Sequence, residues 1–309
     1  MKRLMLLLFL ISSVCVVANG QRMKRNAVKY GSNSTVGKTF VHDGVRLYYE
    51  VYGTGEPLLL VHGNGGSIAD LSAQIAYFRT RYKVIAMDSR DQGRSGDSSS
   101  NITYEKMTDD LAALLDHLKI GPVNVLGWSD GGIEALLLGI RHPQKVKKIA
   151  AMAANLNPSD EALEPEIISL IKSMVSEMPA SQRETPAGRR EIKVTSMMLS
   201  EPNVQFKELQ SIKAPTLILA ADHDAIRVKH TVDIYLHIPN SQLVIFPGAT
   251  HMIPFDDPVL FNSTVERFLR TPFRKIDMIN DTVAAVFTLF IGSFPVQCLS
   301  SCLACFITL

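Results

Sequence analysis

The sequence predicts an α/β fold, a mostly parallel sheet covered on both faces by helices. Three observations carry that prediction. Short apolar runs recur at Pro57-Leu58-Leu59-Leu60-Val61, Val123-Asn124-Val125-Leu126 and Ala214 to Ala221. They are continuous rather than alternating, as in strands buried on both faces. Between such runs lie stretches with apolar residues at helical spacing, such as Met107 to Leu118, and repeated strand–helix alternation calls for parallel strands. Finally, residues able to do chemistry fall just after strands, where such sheets collect their sites.

Taken in order, residues 1–20 have Lys2 and Arg3, an apolar run from Leu4 to Val17, then Ala18-Asn19-Gly20. That is the layout of a secretory signal peptide, so a secreted, periplasmic or extracellular location is expected. Residues 21–37 read as a loose basic lead-in, and 38–275 as one globular body. Thr39 to His42 and Val45 to Val51 form an expected hairpin across Asp43-Gly44, and Tyr82 to Met87 and Val146 to Met152 are further strands. From 156 to 211 the pattern changes. Glu166 to Met178 and Arg189 to Leu199 look helical, with a polar stretch holding Pro179 and Pro186 between them. Met174, Met178, Met197 and Met198 either line an adaptable pocket or pack these helices onto the body, packing being the default.

Residues 276–309 end in an uncharged apolar tail from Thr282 to Leu309, long enough to span a bilayer. A membrane-associating tail is the first expectation, ahead of a gene-prediction artefact or a structural extension. Cys298, Cys302 and Cys305 fall in that tail and Cys15 in the leader, so the body carries no cysteine. Sequons at Asn33, Asn101, Asn262 and Asn280 are acceptors only in a eukaryotic secretory route.

Gly127-Trp128-Ser129-Asp130-Gly131 is the most informative stretch, a G-x-S-x-G between an expected strand and an expected helix. Such a turn holds the serine strained and exposed, with the helix N-terminus behind it favouring negative charge. Upstream, Val61 runs into His62-Gly63-Asn64-Gly65-Gly66, a loop whose glycines let main-chain N–H groups approach a ligand. The amides of Asn64 and Asp130 are candidate donors to the oxyanion of acyl transfer. Downstream, one strand ends in Asp222-His223-Asp224, and another, Gln242 to Phe246, is followed by the turn Pro247-Gly248-Ala249-Thr250-His251. Ser129, an acid and His251 thus follow the chain order of nucleophile-elbow hydrolases.

From about Thr39 to Arg270 the chain resembles the α/β-hydrolase superfamily. The matching residues are the His62 to Gly66 loop, Asp88-Ser89-Arg90-Asp91-Gln92-Gly93-Arg94-Ser95, the elbow and the Pro-Gly-Ala-Thr-His turn. Gly127-Trp128-Ser129-Asp130-Gly131-Gly132 resembles, more narrowly, the biphenyl-hydrolase-like (valacyclovir hydrolase) group. Two positions depart from the family pattern, Asp91 and Ala221, where glycine is usual. The resemblance implies an α/β-hydrolase fold with a small helical cap over 156–211, and a catalytic set of Ser129, Asp224 and His251. Asp222 is the rival acid; Asp224 matches the usual fourth position of the acid turn. It also implies that Asp130, and with it Trp128, contacts substrate, Asp130 through an α-amino group; the alternative is a helix-N-terminal acid complementing the dipole.

The expectation is therefore a serine hydrolase acting on small or medium carboxylic esters. A serine at the elbow excludes the dehalogenases and most epoxide hydrolases of this fold, which use Asp there. Lactonase, amidase, carbon–carbon hydrolase and perhydrolase chemistry share the triad, and a non-catalytic binding protein on the fold is the alternative of another class. No HExxH, Walker loop or histidine cluster appears, so no metal or cofactor is implied. With 32 Lys and Arg against 30 Asp and Glu, and no basic stripe in the body, nucleic acid is not an expected partner.

Overall fold

The computed structural model describes residues 28–98 and 101–275. The expected signal peptide and apolar tail lie outside the described residues, within which no helix is long and apolar enough to cross a membrane.

Eight strands form one sheet: β1 (Lys38–His42), β2 (Val45–Tyr52), β3 (Glu56–Val61), β4 (Tyr82–Met87), β5 (Val123–Trp128), β6 (Val146–Met152), β7 (Thr216–His223) and β8 (Ser241–Thr250). Their spatial order is β1-β2-β4-β3-β5-β6-β7-β8. β1 pairs antiparallel with β2 and β2 with β4; all later pairs are parallel. The helices are α1 (Ser72–Phe78), α2 (Tyr104–Leu118), α3 (Asp130–Arg141), α4 (Pro165–Ser176), α5 (Ala180–Arg183), α6 (Pro186–Met197), α7 (Val228–His237), α8 (Ile253–Asp256) and α9 (Pro258–Arg270).

The continuous apolar runs have a direct cause. In β3, Leu59 and Val61 pack into a core with Leu111 and Leu115 of α2 and Leu136 of α3. Leu58 and Leu60, pointing the other way, pack with Ile75 and Phe78 of α1 and Phe261 and Val265 of α9. Both faces are dry, so every position must be apolar, each leucine contributing about 2 kcal/mol of burial.

The lead-in is tied down over its described part. Glu50 on β2, fully buried, accepts the amides of Gly31 and Asn33 at 2.8 and 2.9 Å. The hydroxyls of Tyr48 and Tyr52 donate to the same carboxylate at 2.6 and 2.7 Å. A sequon at Asn262 is a poor glycan acceptor in this fold, because its side chain is buried in α9.

The cap over 156–211 has three helices rather than the two expected. α4 and α6 both start earlier than their periodicity suggests, since Pro165 and Pro186 occupy the first helical position, where the missing N–H is no loss. Thr185 caps α6 through the Gly188 amide at 2.9 Å. Of the four methionines, Met197 packs into the body's core, while Met174, Met178 and Met198 are half-buried.

Candidate active site

β5 and α3 meet at Ser129, whose φ of 58° and ψ of −121° are strained for a residue with a side chain. The glycines on either side allow the turn. A Cβ on Gly127 would lie 1.8 Å from the Gly131 oxygen, and one on Gly131 would lie 2.3 Å from the Val61 oxygen. The Ser129 amide is held by the Met152 carbonyl at 2.9 Å, fixing the turn to β6.

The three predicted side chains converge. His251 Nε2 stands 3.1 Å from Ser129 Oγ, and His251 Nδ1 stands 2.6 Å from Asp224 Oδ1. The Asp224 carboxylate is buried and also accepts the amides of Ala221 at 3.0 Å and Ile226 at 3.3 Å. The rival acid serves elsewhere. Asp222 is exposed and accepts the amides of Gly248 and Ala249 at 2.8 and 3.1 Å, and the Gly248 bond above all holds its carboxyl below the usual range. It thereby shapes the turn that delivers His251.

Trp128 is half-buried beside this chain. Its indole N–H donates to the His251 carbonyl at 2.9 Å, and its ring lies 5.4 Å from the imidazole and 4.8 Å edge-on from Phe255. The indole therefore braces the histidine as well as bordering the site.

Asn64 and Asp130 lie on either side of the nucleophile turn. Neither main-chain N–H donates to another group among the described residues, as donors kept for a ligand would be. The Asp130 side chain sits where the sequence gives little hint. It is buried at 4% exposure, with Oδ2 accepting from Asn64 Nδ2 and Oδ1 from the Tyr104 hydroxyl, both at 2.8 Å. Burial pushes its carboxyl up, and those two donors pull it back. Each oxygen of this carboxyl group, at the first turn of α3, thus already has one donor within the protein.

Asp91 and Ala221, the two departures from the glycine pattern, resolve differently. Asp91 takes φ of 63°, the conformation glycine would adopt without strain. Its carboxylate accepts the amide and hydroxyl of Ser98 at 2.9 and 2.7 Å and Lys193 Nζ at 2.9 Å. Burial pushes this carboxyl up, and the bonds with Asp97, Lys193 and Ser98 outweigh it and hold it down. Ala221 lies in β7, where the pairing with β8 begins to shift register, and its own backbone does not enter the left-handed region. The Val194 carbonyl and Tyr104 meet Asn64 and Asp130, and sequence reasoning misses both. It also misses the pairing of Lys193 with Asp91, which only a charge opposite that unusual aspartate could have pointed to.

A profile described as the alpha/beta hydrolase fold matches residues 56–202. Serine hydrolase BPHL of Mus musculus is 28% identical over 260 residues, covering 78% of this chain and 88% of that protein. 3-Oxoadipate enol-lactonase 2 of Acinetobacter baylyi is 25% identical, over 75% of this chain and 96% of the other. Among solved structures, the enol-lactonase from Burkholderia xenovorans LB400 superposes with a TM-score of 0.64 at 21% identity, over 76% of this chain and all of that one. An eight-stranded sheet of this order and a serine on its strand–helix elbow agree with these likenesses, and the chain has the α/β-hydrolase fold.

Proposed function

We propose that this hydrolase cleaves small or medium carboxylic esters through an acyl-enzyme on Ser129. The observation that carries the reading is the unbroken line from Ser129 Oγ through His251 to the buried Asp224, at 3.1 and 2.6 Å. In the forward step Oγ attacks the ester carbonyl while His251 Nε2 takes its proton. Asp224 keeps the proton of the neutral ring on Nδ1, leaving Nε2 free to accept, and then stabilises the imidazolium. The amides of Asn64 and Asp130 receive the oxyanion. Collapse breaks the carbonyl–alkoxy bond, and the alcohol leaves with the proton held by His251. Water repeats the sequence, losing a proton to Nε2 and releasing the acid and free serine.

Lactone opening is the second reading. It uses the same bond changes with alcohol and acid on one molecule, and relatives named as enol-lactonases favour it. The short cap, three helices within 156–211, supports a modest substrate in both cases.

Purified Ser129→Ala is expected to fold and to lose about 10³-fold or more of p-nitrophenyl butyrate hydrolysis. The wild type should take a fluorophosphonate label at Ser129 alone. A folded wild-type protein that never labels there would sink the reading in favour of a non-catalytic binding protein.

A further inference from the structure

The two main-chain donors assigned to the oxyanion belong to separate segments, the loop after β3 and the first residue of α3. No main-chain hydrogen bond joins Asn64 to Asp130 among the described residues. Their side chains do join, through Asn64 Nδ2 and Asp130 Oδ2 at 2.8 Å. The same Asn64 nitrogen donates to the Val194 carbonyl on α6 at 3.1 Å. Two acceptors around it fix which end of the carboxamide is nitrogen. From the other side, the Tyr104 hydroxyl donates to Asp130 Oδ1 at 2.8 Å, with Tyr104 only 1% exposed.

We infer that Tyr104, Asp130 and Asn64 form a side-chain clamp that sets the spacing of the two oxyanion donors and ties it to the seating of cap helix α6. The inference rests on the serine-hydrolase reading. The three side chains are positioning groups in it, acting through the main chain at 64 and 130.

Bond directions in the clamp are fixed by chemistry. Asn64 Nδ2 can only donate, so the carboxylate accepts. Burial, with the Asp130 charge, pushes the Tyr104 phenol well above its ordinary range, so it stays protonated and donates. Glu134, one turn along α3, is buried with one oxygen unpartnered. Burial, with the neighbouring Asp130 charge, pushes its carboxyl well up. A buried carboxyl group held by two donors at 2.8 Å is a rigid link in a dry setting. Donor misplacement of about 1 Å is enough to reduce acyl transfer by ~10²-fold. The clamp also gives Asp130 a purpose that needs no charged substrate.

The test combines kinetics with dynamics in the full chain. For p-nitrophenyl butyrate, Asn64→Ala is expected to lower kcat about 30-fold and Tyr104→Phe about 5-fold, with KM within about twofold, because oxyanion bonds act only in the transition state. The double variant should fall no more than about twofold below Asn64→Ala, since Tyr104 works through the same link. Backbone ¹⁵N order parameters at residues 64 and 130 should drop in Asn64→Ala and Tyr104→Phe from rigid values of about 0.85. Unchanged order parameters, fully additive losses or a KM-only effect would overturn the clamp. A wild type that is inert while the order parameters still drop would remove the hydrolase reading and the oxyanion role with it, leaving the link between the segments.

Discussion

Two carboxylates at the end of β7 stand two residues apart in opposite environments. Asp224 is buried and meets the imidazole; Asp222 is exposed and holds the amides of the turn before His251. Asp224→Asn is expected to lower kcat by about 10⁴-fold, because the amide cannot hold the productive tautomer. Asp222→Asn should stay within roughly tenfold of wild type, acting only through the turn's placement. Steady-state kinetics of the pair decides the matter, and comparable losses would assign Asp222 a direct role. At this scale the site was legible where chemistry dictates residue type. Ser129, Asp224 and His251 each follow a strand and carry their own signal. Tyr104 carries none. It lies ahead of the helix expected over Met107 to Leu118, and only the folded chain, in which that helix starts at Tyr104, brings it to Asp130, 26 positions later.

Among elements, strands were legible and some helices were not. β8 was readable only to Phe246, because Pro247-Gly248 looks like a turn. The strand continues to Thr250 because it is an edge strand, where proline is tolerated, and because a register shift near Ala221 absorbs the irregularity. Helix α9 does carry a signal, Asp257-Pro258 followed by Phe261, Val265 and Phe268, yet buried Asn262 and Glu266 blur its face. For the cap, the decisive contact is electrostatic. Lys193 on α6 reaches Asp91, whose side chain is fully buried, together with the carbonyl and hydroxyl of Ser98. Lys193→Met strands that carboxylate without its cation, a loss of about 3 kcal/mol for a buried pair. Hydrogen exchange should then rise in α6 well before it rises in β5 or β6. Equal protection of α6 in both proteins would show that packing alone seats the cap.

For the whole molecule, the pH limit of stability has an identifiable contributor. His230 on α7 accepts the Leu156 amide through Nε2 at 3.1 Å, and burial lowers its pKa to about 4. In the unfolded chain the ring takes its proton near pH 6.5. Between those values the unfolded state holds the extra proton, so stability is lost as pH falls from about 6.5 toward 4, by at most ~3 kcal/mol. Urea titrations at pH 7.5 and 5 should therefore show a smaller drop for His230→Gln than for wild type. Matching drops would place the acid sensitivity elsewhere.

Lys148 has a consequence for how the chain can be handled. From the amino half of β6 its ammonium donates to the carbonyls of Phe268, Leu269 and Thr271 at 2.9, 2.9 and 2.6 Å, closing the end of α9. That knot sits four residues, roughly 13 Å, before the strand end that borders Ser129. The closing of α9 is thus fixed on the sheet edge away from the nucleophile, and trimming back past Thr271 would unfasten the last helix from the sheet.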